Sequence, residues 1–225
     1  MNASRSPSGP AQVPSWVLRG NEMIERVVLV LRINLVWIAL TLLGLVVLGV
    51  APASVAAADA LLAAREGRRV RVLASMWSTY RRQLAPATIR VLPLMAVQAG
   101  ATSMLWLVIG GAVPSAPLAV ALGTVAAISG AWATVSAAAI VATPRLRRQD
   151  VLVTWRLALL LPGVLPARAV GLLLGLLVWA MLCALLWPLA ILVGAAAAID
   201  LATGLLTRRI EHLLQEIDAA GQERP

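Results

Sequence analysis

The sequence predicts an all-α, polytopic membrane bundle of about five transmembrane helices, with amphipathic helices at the interface. Three observations carry this reading. Of 225 residues, 60% are apolar and 13% charged, and the mean hydropathy is +0.88, whereas a soluble domain carries about 25% charged residues. Several uncharged runs reach 20 residues or more, the length that a helix rising about 1.5 Å per residue needs to cross a hydrocarbon core of about 30 Å. All 19 basic residues are Arg, and most fall between those runs, as they do in cytoplasmic loops. The net charge of +9 therefore reads as topology, and no nucleic-acid partner is expected.

The elements follow in order. Residues 1–20, rich in Pro, Gly and Ser, read as a flexible tail, and Asn21 with Glu22 and Glu25 reads as a helix N-cap with acids in its first turn. The membrane domain covers residues 21–210. No charge interrupts Ile33 to Ala58, so the first span is placed at 33–58, with a break at Gly49 and Pro52. If the segment re-enters at that break instead of crossing, the N-terminus moves to the inner side and four spans remain. Residues 65–90 hold seven Arg against one Glu and cannot span. Within them 68–85 reads as an interfacial helix, because Val72, Leu73, Met76, Tyr80 and Leu84 recur at three- and four-residue spacing while Arg71, Arg81 and Arg82 lie elsewhere. Spans at 91–110 and 118–143 follow. Arg145, Arg147 and Arg148 mark an aqueous boundary, and 148–162 reads as a second interfacial helix carrying Trp155. The 39 residues between Arg168 and Arg208 are too long for one crossing and divide into 169–186 and 190–207, hinged near Trp187-Pro188. Residues 211–225 form a polar C-terminal tail. With the N-terminus outside and the C-terminus cytoplasmic, fifteen Arg fall inside and four outside, in keeping with the positive-inside rule.

A shift of 78 residues places Arg69 on Arg147, Trp77 on Trp155 and Arg90 on Arg168. Both copies then read as span, basic interfacial helix, span. The pattern is either a parallel internal repeat of the kind found in some transporters or a coincidence of three identities.

Chemistry has few candidates. One Cys (Cys183) and one His (His212) cannot form an internal disulfide, the usual four-ligand zinc site or a Cys/His pair. No phosphate-binding loop, dinucleotide fingerprint or paired-carboxylate arrangement is visible, so no cofactor, metal or enzymatic activity is expected. Asp200 is the ionisable group deepest in a span, and such groups are functional candidates because burying them is costly. It is either a protonatable acid for coupled transport or a carboxylate satisfied by Thr203, a helix end or a nearby Arg. Asp59 is expected to pair with an Arg. Trp77, Tyr80, Arg81, Arg82 and Trp155 define an interfacial surface, either a plain membrane anchor or a dock for a cytoplasmic partner or anionic lipid headgroups.

The stretch Asn34-Leu35-Val36-Trp37, followed by Gly44-Leu45 and then Gly49-Val50-Ala51-Pro52-Ala53-Ser54, resembles the YesL family of bacterial membrane proteins. Met76-Trp77-Ser78-Thr79-Tyr80-Arg81-Arg82 matches that family's Trp-containing basic stretch, and Ser54 stands where the family pattern has Thr. The resemblance implies a multi-pass protein of the bacterial plasma membrane without established activity, associated with carbohydrate-uptake transporters driven by ATP. It marks Asn34, Trp37, Gly49, Pro52, Ala53 and Trp77 as positions to test. The expected function is thus a non-enzymatic accessory or regulatory partner of such an uptake system, docking through its Arg-rich cytoplasmic face. The alternative is a small oligomeric transporter or channel that uses Asp200 and the polar groups inside the spans.

Overall fold

The computed structural model describes residues 15–222, and every regular element among them is a helix. These are α1 (Ser15–Leu43), α2 (Val50–Arg65), α3 (Val72–Ile109), α4 (Ala116–Ala142), α5 (Pro144–Arg148), α6 (Val151–Val164), α7 (Pro166–Leu185) and α8 (Trp187–Gln222). Five segments are long and apolar enough to cross a membrane: Met23–Leu43, Val72–Ile109, Ala116–Ala142, Pro166–Leu185 and Trp187–Leu213. The molecule is a helical protein of membrane type. The first 14 residues of the expected tail lie outside the described residues, as do the last three of the C-terminal one. Ser15 to Gly20 already belong to α1, so Asn21 lies inside the helix and does not cap it.

The N-terminal segment departs most from expectation. Residues 33–58 are not one crossing. The chain leaves α1 at Leu43, turns through Gly44–Gly49 and returns as α2. The arms are antiparallel: Trp37 Nε1 donates to Ser54 Oγ at 3.1 Å, while Arg26 and Arg65 meet at Asp200 at the open end. Two glycines permit the pinch. A Cβ on Gly49 would overlap the Thr41 carbonyl oxygen, and one on Gly44 would overlap Gly49 Cα and come within 2.5 Å of the Tyr80 hydroxyl. The turn itself is strained, with Leu45 and Val46 at φ of 55° and 61°, a region that costs L-residues about 1–2 kcal/mol each.

α2 forms the inner core. Nine of its 16 residues are buried, six of them Ala and one Pro52, and such small side chains let neighbouring helices approach closely. At about 24 Å it is shorter than a full span, but it returns the chain to the end from which α1 started. α1 and α8 also pack antiparallel, with Asn34 against Ile191–Ala196 and Arg26 against Asp200. The start of α1 and the end of α8 therefore lead out at the same end of this pair. The expectation from an odd number of spans is that the termini lead out at opposite ends, and the antiparallel packing of α1 and α8 departs from it.

α3 joins the expected interfacial helix 68–85 and the span 91–110 into one element of 38 residues. Pro86 and Pro93 lie inside it, each removing a backbone donor without ending the helix. By contrast α6 stands alone, 14 residues long and, at about 21 Å, too short to cross. α4 is the central helix, and its Ile140 and Val141 join a cluster built on α1, α2 and α3. Val135, Ala139 and Ala142 join a second cluster with Ala169 and Leu172 of α7 and Ala202, Leu206 and Ile210 of α8. Gly130 and Ala101 bring α4 against α3, and Thr134 donates to Gln98 at 2.8 Å across the same seam. Along α7, Val170, Leu174, Leu177, Val178, Met181 and Leu185 are exposed, a continuous apolar face suited to lipid.

Candidate functional site: an arginine-lined end of the bundle

Asn34 is buried to 1% exposure inside this apolar core. Its amide donates to the Ile191 carbonyl at 2.7 Å and accepts from the Ala195 and Ala196 N–H groups at 3.1 and 3.0 Å. The side chain thus bonds a carbonyl and two amides within one turn of α8, satisfying its own polar atoms in surroundings that offer no water.

Two ion-pair clusters lie nearer the open end of the hairpin. Arg65, at the end of α2, donates from Nε and Nη2 to Asp200 Oδ1 at 3.2 and 2.7 Å and from Nη2 to the Asp200 carbonyl at 2.7 Å. Arg26 of α1 donates to Oδ2 at 3.2 Å. Gly204 leaves room for this arrangement, since a Cβ there would stand 3.1 Å from both terminal nitrogens of Arg65. Asp200 is therefore committed to two guanidinium groups from two other helices. Thr203 donates to its backbone carbonyl, not to its carboxylate. In the second cluster Asp59 of α2 accepts from both Nη atoms of Arg147 in α5. The Arg147 side chain is 5% exposed and that of Asp59 35%.

The interfacial residues singled out in the sequence divide. Tyr80 is buried at the hairpin turn, with Trp77 stacked on it at a ring separation of 6.1 Å. Arg81 and Arg82 are exposed. Trp155 sits elsewhere, donating to the Arg90 carbonyl at 3.0 Å, while Arg90 donates to the Gln149 carbonyl at 3.0 Å. Pro52 and Ala53 are buried in α2 beside Gly49. The structure thus groups Asn34, Trp37, Gly49, Pro52 and Ala53 around the hairpin, places Asp200 at its open end, and separates Trp155 from Trp77.

Sequence reasoning does not reveal that Arg65, Arg148 and Arg208 face a common space. The ends of α2 and α3, together with α5 and α8, enclose a cleft of about 590 Å³ lined by Asp59, Arg65, Arg82, Arg148 and Arg208 among others. Arg147 reaches that space only through its pair with Asp59. The one readable signal was Arg clustering at 65–71, 145–148 and 208–209, which on its own says nothing of convergence. Among the described residues no group of three or more His, Cys, Asp or Glu is placed to hold a metal ion.

A membrane-type helical bundle with an arginine-lined end is the class these observations define. Residues 30–102 match a family model described as "Protein of unknown function, DUF624", the family of the YesL proteins. The matched stretch holds the hairpin from Asn34 through Ala53 and the Trp77–Arg82 run. No curated protein matches the chain, and no solved structure does.

Proposed function

We propose that this chain is a non-enzymatic protein of the bacterial plasma membrane that serves as an accessory or regulatory partner of an ATP-driven carbohydrate-uptake system. In this reading it docks through its Arg-rich face, with that face cytoplasmic. The observation that carries the reading is the state of the charges. Asp59 and Asp200, the acids inside the helical core, are both committed to Arg partners, while Arg81 and Arg82 beside Trp77 are exposed in the family-matched stretch. Both carboxylate oxygens of Asp200 are taken up in ion pairs with Arg26 and Arg65 that tie α8 to α1 and α2, a structural use of the acid. This weighs against the transporter alternative. Exposed Arg next to an aromatic side chain is the composition that protein interfaces favour.

The test is affinity purification of the tagged chain from its native cells in mild detergent, read by mass spectrometry. Importer subunits are expected with the wild type and are expected to be lost in the Arg81→Ser/Arg82→Ser variant. A partner-free oligomer, or flux through liposomes that Asp200→Asn abolishes, would replace this reading with the transporter one.

A further inference from the structure

We propose that the cleft between α2, α3, α5 and α8 is a binding site for a phosphate-bearing anion. The inference stands apart from the docking role and survives if no importer partner is found. Five Arg line the cleft against three acids, and half of these eight charges are already matched. Arg65 is held by Asp200, Arg68 pairs with Glu66 at 2.6 Å, and Asp59 is held by Arg147. What remains is Arg82 from α3, Arg148 from α5 and Arg208 from α8, with Glu211 as the one uncommitted acid of the lining.

Three guanidinium groups from three separate elements around one space repel one another, and the repulsion is relieved by an anion of at least two charges. Guanidinium forks match phosphate oxygens with paired, charge-assisted hydrogen bonds. The hydroxyls of Ser75, Ser78 and Thr79 complete the polar lining. Those of Ser75 and Ser78 donate to backbone carbonyls one helical turn back, and their oxygen lone pairs remain free. A volume of about 590 Å³ falls in the range of small-molecule sites and accommodates a phosphate with an attached organic group. The phosphate is supplied either by the headgroup of an anionic lipid or by a soluble phosphorylated compound. Both present the same group to the same arginines.

The experiment uses the full chain in nanodiscs of zwitterionic phosphatidylcholine, with inorganic pyrophosphate as the soluble probe and calorimetric titration as the readout. A parallel arm uses nanodiscs containing phosphatidylglycerol, with native mass spectrometry reading retained lipid. Binding of at least one probe is expected, and Arg148→Gln/Arg208→Gln should weaken it about tenfold or more. Arg81→Gln, outside the cleft, should leave it unchanged. Glu211→Gln, which removes the uncommitted acid, should tighten it about threefold. This gain keeps the test decisive even if the double variant folds poorly. Pyrophosphate binding without lipid retention assigns the site to a soluble ligand, and lipid retention that the double variant loses assigns it to a headgroup. Absence of binding by both probes, or affinities equal in wild type, Arg148→Gln/Arg208→Gln and Glu211→Gln, would overturn the proposal.

Discussion

Arg147 and Asp59 show how unequal the two halves of a buried ion pair can be. Arg147 is 5% exposed at its side chain and Asp59 35%, and the Arg147 Nε has no hydrogen-bond partner of its own. Removing the acid strands a buried cation, whereas removing the cation leaves a carboxylate that water can reach. Asp59→Leu should therefore destabilise the fold by about 3 kcal/mol, Arg147→Met by clearly less, and the double replacement should recover much of the loss. Thermal unfolding of the three variants in one detergent checks the order. Asn34 poses a different case, because the groups it bonds lie inside the continuous helix α8, whose own ladder serves them when it is gone. Asn34→Leu is expected to cost only about 1–2 kcal/mol, read in the same assay. At the turn, Val46→Gly should raise stability by about 1 kcal/mol by relieving a positive φ in a β-branched residue.

The hairpin of α1 and α2 is the element on which the packing depends. It lets α2 lie between α1, α3 and α8, burying a run of alanines that a lipid-facing helix would waste. Cysteines replacing Trp37 and Ser54 in a Cys183→Ala background should be bridged by a short bis-maleimide, which spans the room left by the indole, since the native side chains are hydrogen-bonded at 3.1 Å. In one continuous helix those positions would lie about 25 Å apart, and failure of the short reagent to bridge them would restore that picture. Gly49→Val should abolish the cross-link by forcing the arms apart. Of the remaining long helices, α3 reads in the sequence as two elements, while the other three are legible there. α4, α7 and α8 start within three residues of their expected positions at 118, 169 and 190, because length and hydropathy are local properties. The hairpin was legible only as a break at Gly49 and Pro52. Whether a broken apolar segment crosses or returns depends on Gly44 meeting Gly49 and on Trp37 meeting Ser54, contacts that hydropathy does not record. The charge partners were hidden for the same reason. Asp59 and Arg147 are 88 residues apart in the chain, and the Arg triplet around 147 has the composition of an ordinary membrane boundary.

Across the whole molecule, the expected 78-residue shift maps α6 and α7, residues 151–185, onto 73–107 of α3, which itself spans 72–109. The break at Leu165 between α6 and α7 then falls on residue 87, immediately after Pro86. The same shift sets α4, residues 116–142, on 38–64, which hold the end of α1, the turn and α2, so the correspondence is confined to the interfacial and spanning parts that follow, continuous in one half and separated in the other. Both halves contribute arginines to the same cleft, Arg82 from the first and Arg148 and Arg208 from the second. Such a cleft forms only if α1 and α8 pack antiparallel and the hairpin brings Arg65 back beside Asp200. The cleft therefore rests on the topology of the chain. A fluorescent protein that matures only in the cytoplasm and a phosphatase active only outside it, fused in turn to each end of the chain, test it most directly. The same reporter is expected to be active at both ends. Activity of opposite reporters at the two ends would mean that residues 33–58 cross as one span and would contradict the account.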